Sequence, residues 1–144
     1  MLVVDTNVLV YAANIDSQLH EPCRNWLARQ RMRPDAWYTT WPILYEFLRV
    51  TTHPRVMRRP WTVAAAWQFI TALLASPGLS MLVQTQRHAE VAEAGFSELP
   101  HLAGNLIHDT HTAILMREHG VARICTRDAD FSRFPFLEMI DPVR

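Results

Sequence analysis

The chain contains no lysine: all 14 of its basic residues are arginine. This absence excludes P-loop phosphate binding, Schiff-base chemistry and the lysine-assisted aspartyl-phosphate enzymes, each of which needs an ε-amino group. Arginine instead favours bidentate contacts with phosphate. Cysteine is scarce as well. Cys23 and Cys125 lie far apart and form no CxxC pair, so by themselves they make no zinc site. Both read as small buried hydrophobes. No apolar run reaches the roughly 18 residues of a membrane span. No basic stretch precedes the short apolar run at the N-terminus, so no signal peptide is read and a cytoplasmic protein is expected. Neither sign of charge dominates: 14 basic residues face 14 acidic ones. That argues against a surface coated in positive charge and leaves room for a local basic patch.

With 144 residues, 49% hydrophobic and 19% charged, the chain suits one globular domain spanning 1–144. Repeats, low-complexity tracts and long linkers are absent, and the pattern alternates. LVV (2–4) reads as a short buried strand, and the spacing from Asn7 to about Asn14–Asp16 as a helix. Residues 20–32 follow as a helix with Trp26 and Leu27 inward, then AWYTT (36–40) as a strand. Pro42 suits the first turn of a helix carrying Leu44, Glu46 and Phe47. A helix over 62–75 stops at Pro77-Gly78, before a strand over 79–83. Thr85 is expected to cap a helix over 86–97 with His88 and Glu90 outward. Asn105 is expected to cap another over 106–119, ended by Gly120. ARIC (122–125) and LEMI (137–140) are the last strands. Strands separated by helices, without hairpin turns, predict an α/β sandwich on a mostly parallel sheet. Such sheets form their sites beyond the C-terminal strand ends.

The acids fall where that rim would be. Asp5 follows LVV, and Asp128 follows ARIC. Glu46 and Asp109 each sit about one turn into a helix, amid apolar residues. Any one of them alone is explained as a cap or as an acid favoured by the helix dipole. Together they point elsewhere. A carboxylate at a core boundary is costly unless it is paired, hydrogen-bonded or metal-bound, and clustered carboxylates repel one another. A hard divalent cation relieves both penalties. Oxygen-only ligands suit Mg²⁺ or Mn²⁺, and phosphodiester hydrolysis is the matching chemistry.

In order along the chain, DTNVL (5–9), TWPILYE (40–46), HDTHTAIL (108–115) and TRDADF (126–131) resemble the PIN domain. More narrowly, they resemble the VapC toxins of bacterial toxin–antitoxin pairs. The resemblance implies a three-layer α/β/α sandwich and a Mg²⁺- or Mn²⁺-dependent endoribonuclease. Asp5, Glu46, Asp109 and Asp128 would be its metal-binding acids, with Thr6, Asn7 and Thr126 as supporting polar groups. Either aspartate of TRDADF is placed to reach the metal. Asp130 would then bind a second ion or only support the loop. A homodimer and a cognate antitoxin are further implications.

Two other readings compete. One is a catalytically silent module that keeps the scaffold to bind RNA or protein. The other is a His/Asp metal phosphohydrolase built on His108, Asp109 and His111, with His53 or His88 recruited. That fold is all-helical and does not open on LVVD. Outside the acids, Arg49, Arg55, Arg58 and Arg59 follow the Glu46 segment and are candidates to grip RNA phosphates. Trp61 is a candidate to stack on a base, the alternative being a solvated loop with Trp61 packed inward. Arg127 and Arg133 flank the fourth acid. They are further RNA candidates, or else ion-pair with Asp128, Asp130 or Glu138.

Overall fold

The computed structural model describes residues 1–144. Five short strands form one sheet: β1 (Val3–Val4), β2 (Trp37–Thr39), β3 (Leu79–Met81), β4 (Arg123–Cys125) and β5 (Glu138–Ile140). Their order is β3-β2-β1-β4-β5, and every neighbouring pair is parallel. Six helices fill the crossovers: α1 (Thr6–Ala13), α2 (His20–Met32), α3 (Trp41–Thr51), α4 (Val63–Leu74), α5 (His88–Glu98) and α6 (Leu106–Glu118). The first two crossovers step one way from β1 and the third returns past it. Right-handed connections therefore put α1–α4 on one face of the sheet and α5–α6 on the other. This is the expected α/β sandwich.

Central position explains the composition of β1 and β4. Val3, Val4, Ile124 and Cys125 have no exposed surface, because they are covered on both faces. The core they join contains 24 buried residues, among them Trp37, Phe47, Leu115 and Phe131. Both cysteines belong to it and are free thiols. Burial pushes the Cys125 thiol well above its ordinary range. Gly78 is required by close approach: a Cβ there would lie 2.3 Å from the Asp35 carbonyl oxygen. Gly120, at φ +67°, ends α6 as expected.

Three helix-end expectations are corrected. α5 starts at His88, later than anticipated. Thr85 lies in the turn before it, where its hydroxyl accepts from the Arg87 amide. Asn105 precedes α6 in helical backbone geometry and makes no side-chain cap. His88 is only partly exposed, because its Nδ1 lies 2.6 Å from Glu118 on α6. Thr40 and Thr62 are true caps, accepting from the amides of Ile43 and Ala65.

Candidate metal centre

Parallel pairing places the ends of β1 and β4 side by side, with Val4 opposite Cys125. The Asp5 amide continues the ladder by donating to the Cys125 carbonyl at 3.0 Å. The residue beside Asp5 is therefore Thr126. Asp128 is two residues farther on, at the start of a 3-10 turn over Ala129–Arg133. This corrects the expectation that Asp128 directly follows its strand: ARIC ends at Cys125 and a threonine comes first.

Thr126 organises this corner. Its hydroxyl donates to Asp5 Oδ2 at 2.7 Å and accepts from Asn7 Nδ2 and from the Asp128 amide, both at 3.0 Å. Asn7 Nδ2 also donates to Asp5 Oδ2 at 2.8 Å, and its Oδ1 accepts from the Arg127 amide. Asp5 caps α1 by accepting from the Thr6 amide at 2.8 Å. Three of the roughly four lone-pair sites of the Asp5 carboxylate are thus engaged, and the open one lies on Oδ1. α1 and α3 pack together, so Thr6 Oγ1 reaches Glu46 Oε2 at 2.9 Å.

On the other side, Asp109 rises from the first turn of α6. Asp109, Asp128 and Asp130 each present a carboxylate oxygen, and these oxygens lie within 4.8 Å of one another. Asp128 Oδ1 also accepts from the Asp130 amide, which fixes the turn that aims both. Asp130 lies 3.4 Å from Arg133.

The electrostatics reflect this crowding. Burial raises the Asp5 carboxyl to about 6, against the hydrogen bonds from Thr126 and Thr6, and the charges of Glu46 and Asp128 push it the same way. Asp109 rises to about 7, first through desolvation and then through Asp128, Asp5, Asp130 and Glu46. Five carboxylates therefore share one electrostatic neighbourhood, and no arginine is buried among them. An oxygen-only donor set with this excess of negative charge fits a hard divalent cation.

The arginine candidates separate. Arg49 stands at the site, its guanidinium 3.6 Å from Glu46. Arg59 is held by both oxygens of Asp16, at 2.7 and 3.3 Å, and keeps that carboxyl below its usual range. Arg55 and Arg58 are exposed on the loop after α3. Arg127 turns its side chain towards Asp141 at 3.7 Å, a partner its local sequence did not suggest. Trp61 shows the packing that was its alternative: it stands edge-on to Phe47 and Phe69, at 6.2 and 5.9 Å between ring centres. It is partly buried against the core there. His108, Asp109 and His111 do not form one site, since Asp109 faces the acids while His111 turns towards His88.

The chain matches the family model for the PIN domain over residues 2–137. It is 35% identical to Ribonuclease VapC37 of Mycobacterium tuberculosis, covering 93% of this chain and 92% of that one. Ribonuclease VapC48 of the same species is 30% identical, with 96% and 94% covered. Among solved structures, the fold resembles VapBC2 of Rickettsia felis bound to a promoter DNA fragment, with a TM-score of 0.66, 15% identity and 96% of each chain covered.

Proposed function

Because the chain belongs to the PIN-domain family, we propose that it is a VapC-type endoribonuclease, the toxin of a toxin–antitoxin pair. The observation that carries this reading is the convergence of Asp109, Asp128 and Asp130 within 4.8 Å, beside Asp5 and Glu46. Mg²⁺ or Mn²⁺ is the cofactor these oxygens suit. When bound, such an ion supplies an activated water and neutralises charge on the scissile phosphate. Asp5, Glu46, Asp109 and Asp128 are the proposed ligands, with Asp130 as a further ligand or a support of the turn.

The chain's own residues divide the remaining work. Thr126 and Asn7 lock Asp5 so that only Oδ1 faces outward, and Thr6 holds Glu46 through Oε2. Fixing these rotamers in advance keeps the ligands from reorganising as phosphate arrives. Arg49 and Arg133 are the cations beside the acids, 3.6 Å from Glu46 and 3.4 Å from Asp130, and the first candidates to take a substrate phosphate. RNA is the proposed substrate, an antitoxin protein the proposed partner, and a homodimer the proposed assembly.

The test is direct. Purified protein is incubated with structured RNA and Mn²⁺, with and without EDTA, beside Asp5→Asn and Asp109→Asn. Cleavage should need the metal and both acids. Cleavage that persists in EDTA, or in either variant, overturns the reading.

A further inference from the structure

Away from the acids, the α5–α6 pair carries a second group of metal-binding side chains that the nuclease reading leaves unused. Glu118, in the last turn of α6, has a fully buried side chain. Its Oε1 accepts from the Thr85 amide and hydroxyl at 2.9 and 2.7 Å. Its Oε2 lies 2.6 Å from His88 Nδ1. The hydrogen bonds from Thr85 and His88 keep this carboxylate ionised in spite of its burial. An ionised carboxylate only accepts, so Nδ1 carries the hydrogen and Nε2 of His88 is the atom left over. This is the arrangement in which a carboxylate orients a metal-ligating histidine.

A second imidazole stands beside it. The rings of His88 and His111 are 5.7 Å apart between centres and inclined by 70°. Two imidazoles sharing one ion at metal–nitrogen distances of about 2.0–2.1 Å have ring centres roughly 5–6 Å apart. Of the seven histidines, His20, His53, His88 and His119 hydrogen-bond the protein, and the nitrogens of His111, like those of His101 and His108, make no such bond. The geometry points to a transition-metal site formed by His88 and His111, with Glu118 as its orienting residue. It takes an imidazole-preferring ion such as Zn²⁺, Ni²⁺ or Cu²⁺. An ion there staples α5 to α6. The inference is independent of the nuclease reading, because none of its residues belongs to the acid cluster.

Cu²⁺ is the informative probe, since its electron paramagnetic resonance distinguishes nitrogen from oxygen ligands. The full-length protein with one equivalent of Cu²⁺ should show coupling to imidazole nitrogen. His111→Gln should abolish that coupling, and because His111 makes no hydrogen bond to the protein, this variant keeps its fold. Glu118→Gln should weaken Cu²⁺ binding about 10- to 100-fold while leaving both histidines in place. Mn²⁺ binding, which reports the acid cluster, should be unchanged in His111→Gln. An oxygen-only spectrum for the unsubstituted protein overturns the proposal, as does nitrogen coupling that survives in His111→Gln.

Discussion

Thr126 donates its hydroxyl hydrogen to Asp5 across 121 residues of sequence, at 2.7 Å, and the same oxygen accepts from Asn7 and from the Asp128 amide. One hydroxyl therefore connects Asp5 to the turn that carries Asp128 and Asp130.

Replacing it tests that connection. Thr126→Val keeps the shape and removes the hydroxyl. It leaves the part-buried Asp128 amide without an acceptor and Asp5 Oδ2 and Asn7 Nδ2 with only each other, at a cost of about 1–3 kcal/mol. Urea unfolding measures the loss. Mn²⁺ affinity should fall as well, because the hydrogen bond that favours the Asp5 anion is gone. Thr126→Ser should restore most of both.

Neutralising a crowded acid should stabilise the metal-free protein. Asp109 is pushed up by burial and by four neighbouring carboxylates, so Asp109→Asn removes repulsion at little steric cost. Its Tm without metal should exceed that of the unsubstituted chain, while the Tm gain on adding Mn²⁺ should shrink. A Tm at or below the parent's would mean that the carboxylates do not strain the fold.

The same shifts set a pH dependence. Asp5 and Asp109 have folded values of about 6 and about 7, above their ordinary 3.8. Between those limits the folded protein binds more protons than the unfolded chain, so this part of its stability is full below about pH 4 and lost as pH rises through 6 to 7. Without metal, denaturant midpoints should fall from pH 5 to pH 8, on the order of 2 kcal/mol after screening. Saturating Mn²⁺ should flatten or reverse the trend, because it favours the anions.

Trp61→Ala separates packing from recognition. The ring packs edge-on against the stacked Phe47–Phe69 pair and is partly buried, so the variant should lose roughly 1–3 kcal/mol of stability. Cleavage per folded molecule, measured well below its Tm, should stay near the parent's. A selective loss of RNA affinity in a stable variant would return Trp61 to the substrate.

Much of this was legible in residue order. Periodicity separated strands from helices, and the acids at 5, 46, 109 and 128 stood out because each sits near the end of an element. What escaped depends on pairs distant in sequence. Trp61 and Arg59 come from one arginine-rich stretch, yet one turns into the core and the other to Asp16, since α4 and the end of α1 pack beside that loop. The His88–Glu118 pair joins two helices whose separate faces gave no sign of it. At β4 the local pattern suggested an acid straight after the strand. The register with β1 sets Thr126, not the acid, beside Asp5.

The order of the sheet also sets when the acid cluster can exist. β1 is central, but its partner on one side is β4, which begins at Arg123 of a 144-residue chain. Until that strand inserts, Asp5 lacks Thr126, and Asp109 faces neither Asp128 nor Asp130. A chain interrupted anywhere before Arg123 therefore carries Asp5, Glu46 and Asp109 without the strand that brings Asp128 and Asp130 to them.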